Sequence, residues 1–199
     1  MEPKFLGRSD NKFKNFLKQV RLLPPGALSP VFMHLTELYP DSLLRFRPIE
    51  ASDEAMLLTV YASSRSEEMA LLPDWTDTQK LGFLTQQFQA QHLYYQQNYP
   101  RAAFLVILCA GQVAGRLYLD RRPAEIRIVD ITLLPAFRNQ GFGVQILQNL
   151  QAEATAADKP LTIHVERQNR ALQLYERLGF RPVETGNAVY LLMEWRTQA

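Results

Sequence analysis

Apolar and polar positions change period several times along the chain, and each change marks an element. Leu44-Arg45-Phe46-Arg47 alternates with a period of two and stops at Pro48, which predicts a first strand. Ser52 is placed to cap a helix whose apolar positions are Ala55, Met56, Leu58 and Val60, running towards Tyr61. Residues 62–76 are a polar, turn-rich connection. Between Asp77 and about Asn98 there is no proline, and Leu81, Leu84, Phe88, Gln91 and Tyr95 recur at helical spacing, so a long amphipathic helix is predicted. Beyond Pro100 the pattern turns to strands. The apolar run Ala103–Cys109, a tight turn at Ala110-Gly111 and the run 113–119 predict a hairpin, and 125–134 predicts another strand, stopped by Pro135. Residues 143–157 read as a helix with Val144, Ile146, Leu147 and Leu150 on its apolar face. Leu161–Glu166 reads as a strand, 169–178 as a helix, and 183–195 as a closing hairpin turning at Gly186-Asn187.

The order β-α-α-β-β-β-α-β-α-β-β predicts an α/β protein of the α+β type. Its sheet would be mixed and mostly antiparallel, with about seven strands and helices on both faces. Early antiparallel hairpins argue against a doubly wound parallel sheet. The domain would span 43–199, preceded by a flexible or loosely helical leader, 1–42, broken by Pro24, Pro25 and Pro30.

Charge changes the picture little. The leader holds six Lys/Arg against four Asp/Glu, and the remaining 16 of each sign balance, so the domain lacks the basic face that nucleic acid requires. The prolines after Leu22-Leu23 interrupt any signal-peptide core, and no apolar stretch is long enough to span a bilayer. A cytoplasmic protein without membrane or nucleic-acid partners is the expectation. The single cysteine, Cys109, rules out a disulfide framework, and His34, His92 and His164 have no metal-binding spacing, so no metal is expected.

The most informative segment is 130–143, which leads from a strand through Pro135, Arg138, Asn139, Gln140, Gly141 and Phe142 to Gly143 at a helix start. Glycines there allow close backbone approach, and a helix N-terminus offers unpaired N–H groups to phosphate. Arg138 could add a charge-assisted bond. A P-loop would require Gly-Lys-Ser/Thr, which is absent, and a dinucleotide fold would want a small residue where Ile146 stands. A plain strand-to-helix turn fits this segment equally well.

Arg138-x-x-Gly141-x-Gly143 resembles the acetyl-CoA signature of the GNAT N-acetyltransferase superfamily. Asn169-Arg170-Ala171-Leu172-Gln173-Leu174-Tyr175-Glu176-Arg177-Leu178-Gly179-Phe180 resembles that family's second signature. The resemblance covers roughly residues 43–196. It implies an acetyl-CoA-dependent N-acetyltransferase that acts on a primary amine of a small molecule or peptide by direct attack, without an acetyl-enzyme. Coenzyme A would lie where the strand ending at Leu134 and the strand Leu161–Glu166 part. Its pantetheine arm would be held by the backbone of Ile131, Thr132 and Leu133 and by Asn169. Its pyrophosphate would rest on the amides from Arg138 through Gly143, and an oxyanion would be met by an N–H near Leu133.

By pattern alone Tyr175 reads as a core tyrosine packed on the Leu172/Leu178 face of its helix; the resemblance assigns it as the acid for the departing thiolate. For the base, His164 ranks first, since it alternates away from Ile163 and Val165 and its ordinary pKa suits the task. Glu125 ranks second. Glu125 and Asp130 are expected on opposite faces of one strand, so that only one faces the cleft. Ser64, Arg65, Glu67 and Glu68 are candidates for the acceptor pocket, together with Asp130, the acidic pair receiving an ammonium. Cys109 ends an apolar strand and reads as an inert core residue. The competing readings are an acyl-CoA-binding module with little or no turnover, and a nucleotide-binding loop. Related proteins dimerise through an edge strand, which leaves a homodimer open.

Overall fold

The computed structural model describes residues 43–184 and 189–197. The leader and the turn at Gly186-Asn187 lie outside the described residues. Strand β1 (Leu44–Pro48) leads through a 3-10 turn (Ala51–Asp53) into α1 (Glu54–Ser64). Then follow α2 (Ser66–Ala70), α3 (Asp77–Asn98), β2 (Ala103–Cys109), β3 (Gln112–Arg121) and β4 (Ile126–Leu133). A 3-10 turn (Pro135–Phe137) joins β4 to α4 (Phe142–Ala156), and β5 (Leu161–Glu166), α5 (Leu172–Arg177), β6 (Arg181–Val183) and β7 (Tyr190–Trp195) complete the chain. The seven strands form one sheet in the order β1-β2-β3-β4-β5-β7-β6. Every neighbouring pair is antiparallel except β4 with β5.

Several boundaries differ from the sequence reading for identifiable reasons. Ser52 does not cap α1. The Glu50 N–H donates to Asp53 Oδ2 at 2.7 Å, and Arg47 clamps the same carboxylate at 2.6 and 2.8 Å. Residues 51–53 form a 3-10 turn closed by this carboxylate, so Asp53 rather than Ser52 stands at the start of α1. The turn-rich connection contains a helix, α2, whose first turn carries Glu67 and Glu68 at the positive end of its dipole. Helix α3 begins as expected, Thr76 and Gln79 forming a capping box, but it buries only Leu84, Phe88 and His92; Leu81 is 56% exposed. Helix α5 is shorter than 169–178 because the turn at Asn169 takes up its first residues, Asn169 Oδ1 accepting from the Ala171 N–H at 2.9 Å.

Each face of the sheet has its own core. On one face Ile126, Ile128, Ile131 and Leu133 of β4, with Leu161, Ile163 and Val165 of β5, pack against Ile146, Leu147, Leu150 and Ala154 of α4 and against Tyr175 and Phe180. On the other, Val106 and Tyr118 pack against Leu57 and Tyr61 of α1 and Leu84 and Phe88 of α3. Each fully buried large side chain contributes about 1.5–3 kcal/mol.

A β-bulge sets up everything that follows. Tyr118 pairs with Asp130 and Leu119 with Ile128, so Val129 is an extra residue in β4. The bulge shifts the alternation by one. Ile126, Ile128, Ile131 and Leu133 all reach the α4 face, while Arg127, Asp130 and Thr132 turn to the α1/α3 face. The expectation that Glu125 and Asp130 point to opposite faces is therefore corrected: both belong to the α1/α3 side. Close approach of β3 and β4 depends on Gly115, where an added Cβ would stand against the Thr132 carbonyl.

Candidate active site

Strands β4 and β5 pair at three rungs only, Ile126 with Leu161, Arg127 with Thr162 and Ile128 with Ile163. Beyond the bulge they part, leaving 129–133 and His164–Val165–Glu166 as the arms of a fork. The Leu134 N–H donates to Ala114 O on β3 at 2.8 Å, so alternation turns the N–H and C=O of Ile131 and Leu133 into the fork. Thr132 does not join them. Its carbonyl lies against Gly115 of β3 and its hydroxyl donates to Asp130 Oδ1 at 3.0 Å, which corrects its expected place beside the pantetheine arm.

At the mouth of the fork, Gly141 caps α4 at φ +84°, a left-handed conformation suited to glycine, and no atom lies within 4 Å of where its Cβ would be. The first α4 amide with a backbone acceptor is Gln145, bonded to Gly141 O at 2.9 Å. Among the described residues, the amides of Asn139, Gln140, Gly141, Phe142, Gly143 and Val144 find no backbone acceptor, which leaves a row of donors at the positive end of a 15-residue helix. Leu174 and Leu133 lie beside Gly143 at ordinary van der Waals distance without covering it. Arg138 is not part of this row. Its Nε donates to Leu133 O at 2.7 Å, and its Nη2 donates to Ser63 O and Oγ at 3.1 and 3.2 Å.

Tyr175 projects from α5 into the core next to the fork, 4% exposed and tilted against Phe180. Burial, reinforced by the Asp130 carboxylate, raises its pKa far above the ordinary phenol value, so it is a protonated donor at neutral pH. Asn169, at the exposed entrance to α5, spends Oδ1 on Ala171 and keeps its Nδ2 donors.

On the α1/α3 side, the junction of α1 and α2 bridges both arms. Ser63 is held by Arg138, which follows β4, and Arg65 lies 3.6 Å from Glu166 at the end of β5. Arg65 also donates to Glu68 at 2.8 Å and stacks on Tyr61, while Glu67 pairs with Arg170 at 2.9 Å. Glu68 and Glu67 thus each pair with an arginine, the Glu67–Arg170 pair at the surface, and Ser64 Oγ closes its own helix by donating to Tyr61 O at 2.7 Å. Glu166, missed in the sequence, is the carboxylate at the open arm. It alternates with His164 on β5, so the signal was present.

Asp130 stands on the same side, held by Arg116 through Nε and Nη2 at 3.0 and 2.8 Å and approached by Tyr95 Oη at 3.5 Å. Burial works against the Arg116 charge, but Asp130 outweighs it and raises the pKa, so the guanidinium stays charged inside the protein. Glu125 lies at the closed end of the fork. It accepts from Thr162 at 2.6 Å, Arg127 at 2.9 Å and Arg122 at 2.9 Å. Burial would raise its pKa, but the bonds from Thr162 and Arg127 bring it below the ordinary carboxylate range. Its two oxygens are thus taken up by three donors. His164 is exposed on the α1/α3 face at the fork, and burial of its ring followed by the charge of Arg127 lowers its pKa.

The sequence pattern of the acetyltransferase (GNAT) domain family matches residues 71–189. The chain belongs to the GNAT acetyltransferase family. Solved structures of similar fold include the PaiA N-acetyltransferase of Thermoplasma acidophilum in complex with coenzyme A, at 16% identity and a TM-score of 0.57 over 77% of this chain and 99% of that one. An acetyltransferase from Thermus thermophilus aligns at 18% identity and 0.57 over 77% and 97%. RimL, a ribosomal L7/L12 alpha-N-protein acetyltransferase, aligns at 18% and 0.52 over 77% and 90%. As a GNAT protein the chain is an acetyl-CoA-dependent acyltransferase, and the mixed open sheet is the fold of that family. Among the described residues, no group of three or more His, Cys, Asp or Glu could hold a metal ion, and no helix is long and apolar enough to cross a membrane.

Proposed function

We propose that this chain transfers an acetyl group from acetyl-CoA to a primary amine of a small molecule or peptide, by direct attack of the amine. The observation that carries this reading is the fork between β4 and β5, with the Ile131 N–H and C=O and the Leu133 N–H turned into it and a row of amides without backbone acceptors at its mouth. The amides of 139–143 would hold the pyrophosphate, the backbone of Ile131 and Leu133 would hold the pantetheine arm, and Asn169 Nδ2 would add a donor to it. Bound acetyl-CoA supplies a thioester carbonyl as electrophile and a sulfur as leaving group. Tyr175 donates the proton that the sulfur takes up and regains one from solvent.

The acceptor enters from the α1/α3 side, between the α1–α2 junction and β5. There Glu166 attracts its ammonium, Arg65 borders it, and the amine proton passes to water at the open arm. Cys109 is buried on β2, two strands from the fork, which supports a route without an acetyl-enzyme.

A primary-amine panel with acetyl-CoA, followed by thiol release and by mass gain of the amine, tests the proposal. Release of free CoA with acetylation of at least one amine is expected. Thermal stabilisation by acetyl-CoA without thiol release across the panel would identify a binding module instead, and stabilisation by NAD but not CoA would move the glycine loop to nucleotides.

A further inference from the structure

We propose that Arg127 is a positioning residue that holds His164 as a neutral imidazole with its proton on Nε2. His164 then meets the acceptor side of the fork as a hydrogen-bond donor rather than as the base that takes the amine's proton. This rests on the acetyltransferase reading for its catalytic meaning, but not for its geometry.

The geometry is a closed loop of bonds at the last paired rungs of β4 and β5. Arg127 Nε donates to Thr162 Oγ1 at 2.8 Å, and Thr162 donates in turn to Glu125 Oε2 at 2.6 Å. Arg127 Nη2 reaches both Glu125 oxygens at 3.0 and 2.9 Å, and Nη1 lies 2.8 Å from His164 Nδ1. A guanidinium carries donors only, so Nδ1 must be the acceptor in this contact. A neutral imidazole with Nδ1 accepting carries its hydrogen on Nε2, and a protonated ring would set N–H against N–H. Arg127 has little room to turn away, because Thr162 is 2% exposed and Glu125 is also held by Arg122 at 2.9 Å. The charged groups around the ring are Arg127 and Glu125 from the β4 segment, Arg122 after β3 and Glu166 on β5 itself; the β7 partner is the uncharged Leu192.

His164 follows the last rung, and its neighbours Ile163 and Val165 point to the α4 core, so the ring stands on the acceptor face where the arms open. A donor there binds an oxygen of the acceptor. It does not take part in deprotonation, which remains with water near Glu166.

The decisive experiment is a long-range 1H–15N correlation spectrum of the full chain labelled at histidine, with His164 assigned by its loss in His164→Asn. The expected wild-type result is a bare Nδ1 and a protonated Nε2 from pH 6 to 8. In Arg127→Met the ring should become a tautomer mixture, and in Glu125→Gln the same change should appear in weaker form. An Nδ1–H tautomer in the wild type, or a tautomer unmoved by both variants, overturns the proposal. With an amine that the panel shows to be acetylated, His164→Ala should raise KM while leaving kcat and the acid limb of its pH profile in place. His164→Asn, which keeps an N–H, should recover part of the KM. Removal of a general base costs about 10²–10⁴-fold in rate, so a loss of that size in kcat with a vanished acid limb also overturns it. If no amine is acetylated the functional reading fails, while the spectrum still decides this one.

Discussion

Arg116 of β3 and Asp130 of β4 meet as a two-point ion pair in the interior, with the arginine 2% exposed and a third bond of 2.8 Å to Gln91 of α3. The pair lies beside the bulge at Val129 and ties β4, just past the last rung it shares with β5, to the helix packed over it. Its worth lies in completeness, because removing one partner leaves the other charge buried alone.

Arg116→Met is therefore expected to destabilise the fold by about 3–5 kcal/mol, measured by urea denaturation, because Asp130 is stranded. Adding Asp130→Asn to it should recover part of the loss. A double variant no more stable than the single one would show that the charge of Asp130 is not what makes the single change costly.

The amide row makes a second prediction about the helix start. Gly141→Ala forces a side chain into a left-handed conformation and should cost about 1–2 kcal/mol of stability. Gly143→Val fits sterically at its Cβ, yet places methyl groups over the amides, so it should weaken CoA binding by at least about tenfold, or 1.4 kcal/mol, by calorimetry. Gly82→Ala, on the open side of α3, should leave CoA affinity unchanged and add about 0.5–1 kcal/mol of stability.

Tyr175→Phe removes only a hydroxyl from a packed ring. Acetyl-CoA binding should stay close to wild type, and thiol release with an accepted amine should fall by about 10²-fold, the low end for loss of an acid. Full activity in this variant would place the proton donor elsewhere.

His92 gives a pH prediction. Burial, followed by the charge of Arg116, lowers its pKa to about 4 from an ordinary 6.5. Above pH 6.5 the ring is neutral in both folded and unfolded chains and shifts nothing. Between 6.5 and 4 the unfolded chain takes a proton that the folded chain refuses, so stability falls with pH, by about 3 kcal/mol at the lower limit. Urea denaturation at pH 7 and pH 4.5 should show a smaller loss in His92→Gln than in the wild type.

Local pattern alone determined most of the elements, since strand alternation and helical spacing are properties of neighbouring residues. The glycines and the two signature stretches carried the resemblance to the GNAT family, whose pattern matches residues 71–189. Packing decided the rest. A single extra residue at Val129 cannot be seen in the alternation of β4 by itself, because a bulge is defined by the strand across from it; yet it moves Asp130 onto the face of Arg127 and opens the fork. Likewise Arg138 and Glu67 look free in sequence, and only folding brings Leu133, Ser63 and Arg170 within their reach. Charged side chains have long stems and several donors or acceptors, so their partners come from whatever the tertiary structure places within a few ångströms.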